Sequence, residues 1–248
     1  MPTRSIPLVI FALLFCCAAS PVSDRPLLRR EIMIIVDTQG QAPPAVKLVS
    51  QRIGARVTPL RYDVLDEKSQ LVTRGIVGLD AQQEVRLPAT TRMCLFQLDS
   101  GLNGYRFDTR LPYSFIASKT CVFHVYAFAG RLYFYVPQGC KGLKIWALCQ
   151  SPSEGAALSV KDPEGNAAGF VGGELPRWEG IAITPTPNLC GRAWSLEISE
   201  YKGLALDDVE LYIAGDAPPL LSLNPDAVVK IAELLSSAPA KPKEGDAR

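Results

Sequence analysis

The chain has 248 residues, with 26 Lys and Arg against 25 Asp and Glu and a single His, a formal net charge of +1. That balance gives no basic footprint for nucleic acid and no polyanionic signature, and one His excludes multi-histidine zinc sites. The 20 Pro and 19 Gly are spread along the chain, as expected of frequent turns in a folded protein rather than of disorder.

Taken in chain order, the first element is a leader. Arg4 precedes an apolar run from Ile6 to Phe15, which exits through Cys16, Cys17, Ala18 and Ala19. A positive start, a short apolar stretch and a small-residue exit describe a secretory signal peptide over residues 1–19. The run is too short to span a bilayer, and no longer one occurs after it, so no transmembrane segment is expected. The mature protein is then secreted or periplasmic, or lipid-anchored if Cys17 is acylated.

Strand signals dominate beyond the leader. Val57 to Leu65 and Gln70 to Ile76 read as a pair around Asp66-Glu67-Lys68-Ser69, Val85 and Leu87 sit on another strand, and Cys94, Phe96 and Leu98 alternate with Leu95, Gln97 and Asp99. Asp99 to Gly104 reads as the turn after them. Cys121 to Phe128 is apolar on both faces, as in a central strand. Leu132 to Val136, Leu143 to Cys149 and Ala157 to Lys161 come next, the last entering the turn Asp162-Pro163-Glu164-Gly165-Asn166. Trp194, Leu196 and Ile198 alternate cleanly, as do Val209, Leu211 and Ile213. Short strands at this spacing predict an all-β protein, two tandem antiparallel jelly-roll-like sandwiches over 30–128 and 129–222. Val64-Leu65-Asp66 precedes Val160-Lys161-Asp162 by 96 residues, and Phe96 precedes Leu196 by 100, which suggests a duplication; one larger sandwich is the alternative. A C-terminal helix is expected over 223–237, with Asn224 as cap and Pro225 at its first position, its apolar side docked on a sandwich or offered to a protein partner. Residues 238–248 read as a disordered tail.

Arg131 to Gly139, together with Leu143-Lys144-Ile145-Trp146, is similar to the opening of the pre-peptidase C-terminal type of secreted bacterial β-sandwich, in which an aromatic strand ends in a Val-Pro-x-Gly turn. The resemblance extends to Val160 through Gly165 and to Trp194 through Ile198. It implies a secreted accessory sandwich without catalytic residues of its own. The chain departs from that pattern in its cysteines and in lacking a catalytic partner domain.

Candidate chemistry is sparse. His124 lies within a strand and reads as a hydrogen-bonded strand histidine; no G-x-S-x-G elbow accompanies a serine. Carboxylate pairs such as Asp207 with Asp208, or Glu174 with Glu179, could serve glycoside hydrolysis but fit turns and surface positions. Asp162, Glu164 and Asn166, and Asp99, Ser100 and Asn103, offer oxygens in single turns, and both sets are explained by turn chemistry. No cofactor and no metal are implied. Trp194 is expected inward, and Trp146 could face either way. Trp178, between Arg177 and Glu179 in loop-like surroundings, is the candidate ligand platform, a flat ring beside groups that hydrogen-bond hydroxyls. Five cysteines lie beyond the leader, so at most two bridges form. The expected bridges use Cys94, Cys121, Cys149 and Cys190, paired within halves, with Cys140 left over. The function these readings favour is a non-catalytic module binding carbohydrate or another cell-surface polymer. The alternative is a structural or assembly protein of the envelope.

Overall fold

A computed structural model describes residues 25–38 and 45–237. The expected leader, Cys17 and the expected tail lie outside the described residues. Among those described, no helix is long and apolar enough to cross a membrane.

The described residues are all-β with one α-helix. Its first half holds β1 (Leu27–Asp37), β2 (Ala45–Gln51), β3 (Leu60–Asp66), β4 (Leu71–Val77), β5 (Gln82–Arg86), β6 (Met93–Asp108) and β7 (Tyr113–Ile116). The second holds β8 (Phe123–Tyr126), β9 (Gly130–Val136), β10 (Leu143–Leu148), β11 (Ala156–Lys161) and β12 (Ala167–Gly173). It continues with β13 (Glu179–Ile183), β14 (Arg192–Ser199), β15 (Asp208–Gly215), β16 (Leu220–Leu221) and the helix α1 (Pro225–Ser237). Sequence reading passed over β1 and β2 and ended a strand at Asp99. Instead β6 runs straight through the expected turn. Glu31 pairs with Asp99 and Arg29 with Gly104, so residues 100–103 form a bulge inside one long strand. The bulge holds itself: Gly101 donates to Asp99 Oδ1 at 2.8 Å, Ser100 donates to the Asn103 carbonyl at 2.7 Å, and Asn103 Nδ2 reaches the Thr58 carbonyl at 2.8 Å.

Because β1 and β6 bend, each belongs to two layers. The first part of β6 pairs with β3 and the last part with β2, giving the orders β4-β3-β6-β1 and β5-β2-β6-β1. The second half repeats both orders as β12-β11-β14-β9 and β13-β10-β15-β8. There each long strand is cut in two, with β8 and β9 standing for β1 and β14 and β15 for β6. The bend of β1 lies at Arg30, φ 59°, and the break between β8 and β9 at Ala127, φ 48°. Two turns repeat as well. Asp66 Oδ1 accepts from the backbone of Lys68 and Gln70, and Asp162 Oδ1 accepts from that of Glu164 and Asn166. In this repeat the second unit begins at Phe123 rather than at 129. The β8 and β1 strands then join the halves into one sheet, β13-β10-β15-β8-β1-β6-β2-β5.

Alternate residues of these strands meet between the layers. Phe96, Phe115, Phe123, Phe134, Leu132, Leu196 and Val209 are buried in one cluster that runs through both halves. Trp194 is inward, as expected, beside Phe134. Asn224 Oδ1 caps α1 through the Asp226 and Ala227 N–H groups at 2.8 and 3.2 Å. The apolar side of α1 meets the chain's own strands: Val228, Ile231 and Ala232 pack with Ile35, Leu95, Tyr133 and Tyr135.

Glycine is required at Gly215, which closes the β10–β15 ladder. Its φ is +104°, and a Cβ there would stand 2.6 Å from the Gly142 carbonyl oxygen. Gly215→Ala is expected to cost about 2 kcal/mol or more, read as a lower denaturant midpoint.

Candidate functional site

Strand alternation divides the joined sheet into a core face and an outer face. On β15, Val209, Leu211 and Ile213 turn into the core, so Asp208, Glu210 and Tyr212 share the outer face. Register adds their neighbours: Trp146 lies opposite Tyr212, His124 opposite Glu210, and Tyr126 opposite Asp208. Two different surfaces result, side by side.

The first is aromatic. Trp146 and Tyr212 stack with ring centroids 5.9 Å apart and planes 18° from parallel. Trp178 meets Tyr212 edge-on at 4.8 Å. Tyr212 is buried between the two half-buried indoles. Lys144 lies over Trp146, its Nζ 3.6 Å from the ring centroid, a cation on a ring face. Bare backbone at Gly180, opposite Trp146 on β13, leaves room for that lysine: a Cβ there would stand 2.1 Å from Lys144 Cε. The candidate residues Arg177 and Glu179 flank Trp178 and pair with each other at 3.0 Å on the exposed rim. Glu174 is exposed on the segment before them.

The second surface is ionic and mostly buried. Arg29 Nη1 donates to both carboxylate oxygens of Asp208 at 2.5 Å, and its Nη2 donates to the Leu102 carbonyl at 2.8 Å. His124 Nε2 is 2.8 Å from Asp208 Oδ1, and its Nδ1 is 3.6 Å from Glu210 Oε1. Arg30 adds a contact to Glu210 at 3.2 Å and donates to Gln150 at 2.6 Å, while Gln150 donates back to Glu210. The strand histidine is thus held between two carboxylates, at 2% exposure. A cavity of about 220 Å³ opens beside it, lined by Arg30, Glu31, Thr120, Cys121, His124 and Glu210.

The two adjacent aspartates differ. Burial pushes the Asp208 carboxyl up, but His124 and Arg29 outweigh it and hold the group below the ordinary range. At Asp207, burial and then the Asp208 and Glu154 carboxylates raise the pKa. Asp208 is engaged by Arg29 and His124, so the pair considered for hydrolysis is not two free carboxylates facing a cleft.

The oxygens of Asp162 are taken by the turn they close, and the Asn166 side chain lowers its carboxyl. The Asp99-to-Asn103 set is engaged in the bulge. The expected bridges are corrected: Cys94, Cys121, Cys140, Cys149 and Cys190 are all free and buried. Cys94 lies opposite Val36 on β1, whereas the Cys121 thiol lies by the Met33 backbone, three positions along, too far to pair. Cys149 comes directly after β10 and enters the core in phase with Leu143, Ile145 and Ala147, its thiol pushed up to about 12 by burial and by Glu154, Asp208 and Glu210; it stands at the opposite end of β10 from Leu143.

A larger groove, about 600 Å³, crosses the outer face of β1, β6, β3 and β4. It presents Arg61, Arg74, Asp63 and Asp99, but its only ring, Tyr62, is turned inward and 5% exposed. Sequence reading reached Trp178 but missed Tyr212 and Lys144. The alternation of β15 already set Tyr212 outward; the signal lacking was the register that brings Trp146 beside it.

No protein-family model and no curated protein matches the chain. Among solved structures it is similar to Arthrobacter globiformis T6 isomalto-dextranase complexed with panose, at 10% identity and a TM-score of 0.24. That likeness covers 75% of this chain and 35% of the other, so the chain spans about a third of that protein's length. It is also similar to the N-terminal CBM22-1-CBM22-2 tandem domain from Paenibacillus barcinonensis Xyn10C, at 11% identity, a TM-score of 0.20, and coverage of 78% and 79%.

Proposed function

We propose that this chain is an exported, non-catalytic binding module whose ligand is a carbohydrate or another hydroxyl-rich polymer of a cell surface. The observation that carries this reading is the Trp146, Tyr212 and Trp178 group on the outer face of the joined sheet. Two half-buried indoles, braced by a buried tyrosine, offer apolar ring surface at which a sugar ring can pack. Lys144, Arg177 and Glu179 surround them with donors and acceptors for hydroxyls. A strand-borne site of this kind is rigid before it binds, which lowers the ordering cost of association. The non-catalytic part of the proposal is supported by the engagement of Asp208 with Arg29 and His124. The assembly reading loses its main support because the apolar side of α1 is covered internally.

Affinity electrophoresis against a panel of soluble polysaccharides tests this. At least one polymer is expected to retard the protein, with roughly tenfold weaker retention in Trp146→Ala and Trp178→Ala. Equal retention by both variants removes the aromatic group from the site, and no retention by any polymer removes the carbohydrate.

A further inference from the structure

Cys140 and Cys190 lie at the same end of the second unit. The β9–β14 ladder closes with Val136 opposite Arg192, and the Gly191 N–H donates to the Val136 carbonyl at 2.7 Å. Just beyond it, the Gln138 side-chain amide donates to the Cys190 carbonyl at 2.9 Å. A turn closed by the Cys140 N–H and the Pro137 carbonyl, at 3.2 Å, folds Cys140 back toward the same place. A second tight turn, with the Cys190 N–H on the Pro187 carbonyl at 3.3 Å, sets Cys190 there from the other side of the ladder. Both side chains enter the core, at 7% and 3% exposure. The thiols lie within each other's electrostatic reach: after burial, Cys190 is among the groups that push the Cys140 thiol up. Cys149 lies at the far end of β10 from Cys140.

We propose that Cys140 and Cys190 form a disulfide when the chain folds in an oxidising medium, tying the β9–β10 turn to the segment that enters β14. The oxidant is a disulfide donor such as oxidised glutathione. One cysteine thiolate attacks the donor, forming a mixed disulfide and releasing one donor thiol. The second thiolate displaces the other donor thiol. Two S–H bonds of the protein are replaced by one S–S bond, and the donor disulfide is reduced to two thiols. Burial disfavours the thiolate in the folded thiol form, so the exchange belongs to folding, before the two turns pack.

Refolding the reduced full chain with oxidised and reduced glutathione, then alkylating it and mapping its peptides without reduction, tests the pairing. The map is expected to join Cys140 to Cys190 and to leave Cys94, Cys121 and Cys149 alkylated. The oxidised form is expected to melt roughly 10 °C above the reduced form. That gap should vanish in Cys140→Ser and Cys190→Ser and persist in Cys149→Ser. Alkylation of both Cys140 and Cys190 after refolding overturns the proposal. So does a Cys149–Cys190 link, or a gap that survives in Cys140→Ser.

Discussion

Asp208→Asn is expected to lower the unfolding free energy by about 3 kcal/mol, seen as a lower urea midpoint with an unchanged slope. The carboxylate is held by two cationic or donor groups, and its side chain and that of Arg29 are only 16% and 11% exposed. Neutralising it leaves the guanidinium of Arg29 without its counter-charge where water cannot replace it. Removing an exposed pair has no such consequence. Arg74 and Asp63 stand 3.0 Å apart with side chains 66% and 36% exposed, and Arg74→Ala should stay within about 0.5 kcal/mol.

Asp207→Asn should act in the opposite direction. For Asp208 the folded pKa is lowered, so its contribution to stability is complete above the unfolded value, about 3.9, and is lost as pH falls through the folded value. For Asp207 the folded pKa is raised, so ionising it costs stability as pH rises from the unfolded to the folded value, and the full cost is present at neutral pH. Asparagine removes that cost. A destabilised Asp207→Asn at pH 7 would falsify this account of the pair.

Ile231→Ala is the other large effect, about 3 kcal/mol. Ile231 is fully buried between α1 and the strands that carry Ile35, Tyr133 and Tyr135. These strands, β1 and β9, come from both halves. Lys230 adds a charge contact at 2.6 Å to Asp37, whose side chain is 1% exposed. Truncating Ile231 opens a cavity under the helix. Amide exchange is expected to accelerate first along α1 and in β9, and a uniform change across all strands would count against a local role.

Much of the fold was legible because it is written in local chemistry. Trp194, Leu196 and Ile198 alternate, Asn224 and Pro225 open a helix, and Asp66 and Asp162 close turns. The error at Asp99 and the open face of Trp146 share one cause. Asp99 to Gly104 has turn composition, yet long-range pairing with Glu31 on one side and Arg29 on the other carries the strand through it. Trp146 could not be assigned a face, because that depends on which strands are adjacent. The ionic surface was hidden for the same reason. Arg29 and Asp208 are 179 positions apart, and nothing local to either marks the other.

The pairing of β1 with β8 carries one more consequence. Leu28 and Val125 face each other, and each stands two residues before its unit's left-handed bend, at Arg30 and Ala127. Counterpart therefore meets counterpart, as at the isologous contact of a two-fold dimer. The polypeptide holds inside itself what separate subunits would otherwise build by association. Subunits of identical sequence must carry any surface twice, whereas covalently joined units can specialise. The positions corresponding to Trp146 and Tyr212 in the first unit are Lys47 and Asp108, which pair in the same register. One unit bears the rings and the other a pair of opposite charges, a division of labour open only to an assembly whose two members are encoded separately.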